Sequence, residues 1–314
     1  MVRFDSKKFI EEKIAFIKNE VGGNTAIVAL SGGVDSSVTA VLGFKALGEG
    51  LKAIFLEDGF MRIGEAERVR KVFSGIGIDV KVYDVQKEFL ASLKGIRDAE
   101  EKRKAFRETF YRTFSKIARE LGASVVLQGT IAADIVETAG GVKTQHNVLE
   151  QIGINPLEKY GFKIVEPLKE LYKNQVRLVA RELGLPDEIV NRRPFPGPGL
   201  SIRILGEVDE EKLSVVKNAT LIVDEELADI KCFQAFPVLL EGRATGVGED
   251  SSRKYGCIIA LRIVESDDAM SAKYVKLDWN RLEKLRNKIL KEVPGVTRVL
   301  YDITDKPPAT IEFE

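Results

Sequence analysis

The sequence predicts an α/β protein: a doubly wound, mainly parallel sheet followed by a smaller α+β domain. Two observations carry this expectation. Short apolar runs alternate with segments of helical periodicity through the first two thirds of the chain, the pattern of strands joined by crossover helices. The alternation then stops at NRRPFPGPG (191–199), which packs three of the ten prolines into nine residues and marks the boundary between domains 1–192 and 193–314.

The elements follow in order. Phe9, Ile10, Ile14, Ile17 and Val21 share one stripe of a helix over 5–21, with Asp5 or Ser6 as its cap and Gly22-Gly23 as its stop. The apolar run 26–30 is too short for a helix and ends in Ser31-Gly32-Gly33, so it reads as a buried strand meeting a tight turn. Helices are expected over 36–47, 65–73, 99–121 and 172–183, and strands over 53–56, 80–85, 124–127 and 163–165. Segment 137–161 holds Gly140-Gly141, Gly153 and Asn155-Pro156 without clear periodicity, and is expected to be a long loop acting as a lid. Beyond the boundary come strand 201–205, helix 209–227, strands 232–239 and 256–264, helix 279–293 and strand 298–303.

Composition limits the function. The 314 residues carry 48 Lys plus Arg against 48 Asp plus Glu, so no global field draws the chain to nucleic acid or an anionic membrane. From residue 194 onward there are 17 basic and 21 acidic residues, which argues against a basic RNA-binding appendage. Apolar runs are far short of the ~20 residues of a membrane helix. The first residues, MVRFDSKKFIEEK, place charges where a secretory signal needs an apolar core, so the expected location is the cytoplasm. Cys232 and Cys257 cannot build a disulfide framework, and His146, the single histidine, excludes multi-histidine metal sites.

The chemistry concentrates in Ser31-Gly32-Gly33-Val34-Asp35-Ser36-Ser37, between a buried strand and a helix start. Unpaired N–H groups and the helix dipole favour an anion there, glycines admit a phosphate close to the backbone, and the serines add hydroxyls. Asp35 could hold a Mg²⁺ bridging phosphate oxygens. A Walker loop would need Gly-Lys-Ser/Thr, and from Ser31 onward no lysine occurs until Lys45; a GxGxxG fingerprint is also missing.

SGGVDSS resembles the pyrophosphate-binding loop of the N-type ATP pyrophosphatases, which cleave ATP between the α and β phosphates to adenylate an oxygen. QGTIAADIVET from Gln128, HNV at His146, EPLKELYKNQVR from Glu166, RPFPGPGL from Arg193 and DITDKPPATIEFE from Asp302 narrow the resemblance to the synthetase part of the GMP synthetases, over residues 24–314. The resemblance implies an adenine nucleotide alpha hydrolase-like first domain and a C-terminal domain for homodimerization and acceptor binding. It implies a ligase, with ATP as co-substrate and Mg²⁺ as cofactor, that aminates xanthosine monophosphate (XMP) to GMP through an adenylyl-XMP intermediate. By the same resemblance Ser31 to Ser37 wrap the ATP phosphates, Asp35 faces the metal, and Asp35 and Lys306 are catalytic. Arg103, Gln234, Asp250, Lys306 and Glu312 match positions that bind XMP. Read alone, Arg103 lies in a helical charge run, normally a solvated face, and Gln234 is one polar residue in an apolar strand. Lys306, before Pro307-Pro308, suggests a cation fixed toward a phosphate.

Leu56-Glu57-Asp58-Gly59 departs from the Val-Asp pattern of many relatives, and the Asp250 region is one residue longer than usual. Neither cysteine sits in a Gly-x-Cys-x-Gly elbow, so ammonia is expected from a separate glutaminase subunit. Other readings stay open. A tRNA-thiolating enzyme would want paired catalytic cysteines or a basic tail, and an NAD synthetase should lack RPFPGPGL and KPPATIE. A non-catalytic nucleotide-binding protein is the third alternative.

Overall fold

The computed structural model describes residues 4–139, 154–248, 251–267 and 269–314. The chain forms two compact units: Met1–Asp58, Gly64–Gln86 and Arg107–Arg192 make the first, and Gly59–Ile63, Lys87–Phe106 and Arg193–Glu314 the second. The second unit thus takes two segments from the N-terminal half that the composition break at 191–199 does not reveal.

In the first unit, α1 (Ser6–Val21) is capped by Asp5, whose side chain accepts from the Lys8 N–H at 3.1 Å, and it ends at Gly22 in the left-handed region, φ 58°. Then come β1 (Thr25–Ala29), α2 (Val34–Leu47), β2 (Leu51–Glu57), α3 (Glu65–Ser74) and β3 (Val80–Asp84). After α4 (Gln86–Leu93) and α5 (Ala99–Glu120), of which residues 87–106 belong to the second unit, follow β4 (Ala123–Leu127), α6 (Ala132–Ala139), α7 (Pro156–Tyr160), β5 (Lys163–Val165), α8 (Lys173–Glu182) and α9 (Asp187–Val190). The five strands pair in the order β3-β2-β1-β4-β5, all parallel, which is the expected doubly wound sheet. Burial of Ala26, Ile27 and Val28 explains the unbroken apolar run of β1, a strand covered on both faces. The strand order reverses between β1 and β4. Loops leaving their carboxyl ends therefore diverge there, and open α/β sheets bind ligands at that switch point.

The second unit contains α10 (Glu210–Glu226), β6 (Gln234–Leu239), β7 (Ala244–Val247), β8 (Arg253–Glu265), β9 (Lys273–Tyr274), α11 (Trp279–Glu292) and β10 (Val296–Asp302). Its sheet centres on β8, antiparallel to β6, β7 and β9 and parallel to β10. Phe236, Val238 and Ala260 form its inner cluster.

Several expectations change, and α6, α9, β7 and β9 have no counterpart among the expected elements. Segment 201–205 alternates like a strand, but Gly199 adopts φ 61° and the Leu200 N–H donates to the Phe60 carbonyl at 2.8 Å. The chain turns there as a 3₁₀ helix, Gly199–Arg203, and only Ile204 reaches the sheet, through a bridge to Leu239. The long irregular segment is shorter than expected at its far end, because Asn155 caps α7 with Pro156 in its first turn and Gly161 stops it. Its middle, and His146 with it, lies outside the described residues. Helix α4 has no counterpart among the expected elements, since two turns of period between β3 and α5 give little signal. Among the described residues no helix is long and apolar enough to cross a membrane.

Candidate functional site

β1 delivers the chain at the switch point into Ser31, and α2 starts three residues later. Gly33 is its N-cap and no side chain caps it, so the first-turn N–H groups of α2 and the positive end of its dipole are left for an external anion. The loop ties itself with its own hydroxyls. Ser36 and Ser37 donate to the Gly33 carbonyl at 3.1 and 2.8 Å, and the Ser31 and Ser36 hydroxyls lie 3.1 Å apart.

Asp35 stands in the first turn of α2. Its Oδ2 accepts from Lys173 Nζ at 2.6 Å, while its Oδ1 is buried with no partner among the described residues. Burial raises its carboxyl above the ordinary aspartate value of 3.8, and Lys173 pulls the other way. Lys173 is the first residue of α8; nothing in its own position marks it in the sequence, although the motif containing it stands out. It adds the cation that the loop itself lacks.

Two glycines make this packing possible. Gly32, at φ 73°, lies on a buried ion pair: Arg192 Nη1 donates to the Gly32 carbonyl at 2.8 Å and to Glu65 Oε1 at 2.5 Å, and Glu65 is 2% exposed. Gly129, just after β4, lies so close to α2 that a Cβ there would stand 2.9 Å from the Asp35 carbonyl carbon. Next to it, Thr130 donates to Glu166 Oε1 at 2.5 Å and Gln128 Nε2 donates to Thr130 Oγ1 at 2.9 Å, so QGT and the glutamate of EPLKE form one polar cluster.

The other expected residues belong to the second unit. Arg103 is not on a solvated face: it is 6% exposed, donates to Glu100 Oε1 at 2.5 Å and reaches the Glu314 main-chain oxygen. Its neighbour Lys102, fully buried, donates to the Ile204 carbonyl at 2.6 Å and to Glu314 Oε2 at 3.3 Å, and burial lowers its pKa. Gln234 opens β6, buried, with Nε2 donating to the Pro194 carbonyl at 3.1 Å and to Glu312 Oε1 at 3.2 Å, whereas its Oε1 is buried without a partner among the described residues. Gln234 and Glu312 are therefore brought together directly. Lys306 is not part of that pair; its Nζ donates to the Ala269 carbonyl at 2.7 Å. Asp250 lies outside the described residues. Asp58, in the departing Leu56-Glu57-Asp58-Gly59 segment, is buried.

Among the described residues no group of three or more His, Cys, Asp or Glu side chains is gathered to hold a metal. The donor set still fits Mg²⁺ of the kind bound by one or two carboxylates plus substrate phosphates, and the unpartnered Asp35 Oδ1 is such a carboxylate oxygen.

Comparison with known proteins bears on this arrangement. Residues 5–227 match the NAD synthase family and residues 222–313 the GMP synthase C terminal domain. The chain is 50% identical to a glutamine-hydrolyzing GMP synthase subunit of Methanopyrus kandleri, over 99% of this chain and 100% of that one. The chain belongs to this family of GMP synthase subunits. Family proteins of the same description from Methanocaldococcus jannaschii and Methanosarcina barkeri are 50% and 52% identical, each spanning 98–99% of this chain and at least 99% of the relative. Among solved structures, an NMN synthetase from Francisella tularensis superposes with a TM-score of 0.50 at 20% identity, over 67% of this chain and 82% of that one, which is a likeness of fold. The resemblance read from the motifs is thus borne out at the level of the family.

Proposed function

We propose that the chain aminates XMP to GMP at the expense of ATP, releasing AMP and pyrophosphate, with ammonia made by a separate glutaminase subunit. The observation that carries the reading is the uncapped start of α2, with Ser31, Ser36, Ser37 and an unpartnered Asp35 oxygen, in a chain half identical to GMP synthase subunits. In this reading the loop N–H groups and hydroxyls hold the β and γ phosphates and take up the charge that develops on the departing pyrophosphate. Mg²⁺, held by Asp35 Oδ1 and the phosphates, would neutralise part of that charge. Lys173 then exchanges Asp35 for a phosphate oxygen, a charge-assisted partner of the same kind.

The XMP 2-oxygen attacks the α-phosphorus and pyrophosphate leaves; ammonia then displaces AMP from the purine carbon, losing a proton. Gln234 Oε1 and the Glu312 carboxylate offer acceptors to N–H and O–H groups of the acceptor nucleotide, and Arg103 and Lys306 supply positive charge for its phosphate. Asp250 joins this set by resemblance only. The homodimer is proposed through the second unit, whose strands β7, β8 and β10 carry the exposed Val247, Tyr255 and Leu300.

The chain's thiols support an external ammonia source. Burial raises the pKa of both Cys232 and Cys257, the reverse of what a glutaminase nucleophile needs. The test is GMP and pyrophosphate formation by the purified chain with ATP, XMP and Mg²⁺. Turnover is expected with ammonium, absent with glutamine alone, restored by added glutaminase, and lost in Asp35→Ala. Turnover of deamido-NAD in place of XMP would overturn the assignment.

A further inference from the structure

Arg203 is among the most deeply buried cations of the chain, 2% exposed, yet neither the motifs nor the proposed reaction uses it. Its guanidinium lies over two phenyl rings, 4.0 Å from the Phe236 centroid and 5.0 Å from that of Phe195. Phe195 is in turn covered by Arg62, at 4.3 Å, and Arg62 is anchored by Asp224 on α10 at 2.8 Å. Four side chains thus stack in the order Arg62, Phe195, Arg203, Phe236, with cations and rings alternating. A planar guanidinium stacks in this way and a lysine ammonium does not.

The edge of the stacked Arg203 meets Glu312. Nε donates to Oε2 at 3.1 Å and Nη2 to Oε1 at 2.9 Å, a fork that fixes the plane of the carboxylate. Gln234 Nε2 adds a third donor, to Oε1. Gln234 and Phe236 are two residues apart on β6, so one face of the strand supplies both the ring behind Arg203 and the amide on Glu312. An ionised carboxylate accepts about four hydrogen bonds. The described residues fill three directions, and the remaining one is on Oε2.

We infer that Arg203, held by its aromatic stack, is the positioning residue that aims Glu312 at the acceptor nucleotide, and that the phenylalanine of RPFPGPGL serves this purpose. The inference rests on the acceptor-binding role of Glu312 proposed above. Arg203 touches no substrate in it; it acts by leaving Glu312 one fixed acceptor direction beside the equally fixed Gln234 Oε1.

The experiment measures KM for XMP, KM for ATP, kcat and Tm in Arg203→Lys, in Phe195→Leu, in Glu312→Gln and in Arg203→Lys combined with Glu312→Gln. Arg203→Lys keeps the charge but loses the fork and the stack, and should raise KM for XMP about tenfold or more with KM for ATP unchanged. Phe195→Leu keeps the ion pair, removes one half-buried ring and should raise it about threefold; it carries the test if Arg203→Lys does not fold. In the Glu312→Gln background Arg203→Lys should add less than about twofold, since residues acting through one another are not additive. A lowered Tm with an unchanged KM for XMP, or an equal effect of Arg203→Lys with and without Glu312, would show that the stack only supports the fold and overturn the inference. A normal KM for XMP in Glu312→Gln itself would instead remove the acceptor role of Glu312, and this inference with it, while a raised KM for XMP in Arg103→Gln would still mark the rest of the acceptor site.

Discussion

Gly32 and Gly33 are adjacent in the loop, and the structure assigns them opposite consequences. An alanine at Gly32 must hold φ 73°, which costs about 1–2 kcal/mol for a residue with a Cβ. Its methyl would also overlap Arg192 Nη1 and Glu65 Oε1, with Val69 Cγ2 only 3.3 Å away on the remaining side. The ion pair has nowhere to retreat, because Glu65 is 2% exposed, and separating buried partners costs about 3–5 kcal/mol. Gly32→Ala should therefore lose about 3 kcal/mol or more, a fall of about 6–12 °C in Tm for a unit of this size. Gly33 has φ −78°, and a Cβ there meets only Ser31 Oγ at 3.4 Å. Gly33→Ala should keep its Tm within about 1 °C, since such a site is unstrained, while raising KM for ATP, because the methyl stands where a phosphate approaches the backbone. The assays are thermal unfolding followed by circular dichroism and pyrophosphate release. A Gly32→Ala protein that melts within about 2 °C of the parent would refute the account of the loop as a cover over the Arg192–Glu65 pair.

Burial raises the Asp35 pKa, so the ionised group opposes folding above its usual titration range and ceases to do so when protonated. Asp35→Asn should abolish pyrophosphate release yet raise Tm at neutral pH, with the gain shrinking as pH falls toward the ordinary value of 3.8; a gain independent of pH counts against the assignment. Lys173→Gln should raise KM for ATP about tenfold or more, the usual scale for a charge-assisted bond, and lower Tm at neutral pH, because the buried Asp35 carboxylate loses its counter-charge. Deletion of residues 306–314 should unfold the second unit rather than only weaken XMP binding, because Arg203 and Lys102 lose their carboxylate partners; a soluble, cooperatively melting second unit in that variant contradicts this.

Much of the first unit is legible in the sequence because its information is local. A five-residue apolar run, a glycine stop and a serine-rich helix start each declare themselves within a few positions, and the pyrophosphate loop is one such stretch. The partners of that loop are remote: Lys173 is 138 residues from Asp35, and Arg192 is 160 from Gly32. No period or propensity records such pairs. The same limit explains Lys102 and Arg103, whose charge run has the composition of a solvated face but is buried and partnered by Glu314, 212 and 211 positions away. At 201–205 alternation is a false signal, since the turn at Gly199 takes the chain out of pairing range before a strand can form.

The path of residues 302–314 has a consequence for biosynthesis. Arg262, 1% exposed, pairs with Asp302 and donates to the Thr310 carbonyl at 2.8 Å, Arg203 waits for Glu312, and Lys102 for Glu314. Until these residues leave the ribosome, three cations of the second unit have no counter-charge, and each unpaired buried charge costs several kcal/mol, a large share of a domain's net stability. The nascent unit cannot close early. A frameshift or proteolytic clip near Asp302 would therefore yield a chain that quality control can recognise as unfolded, and not a stable enzyme that spends ATP without finishing its product.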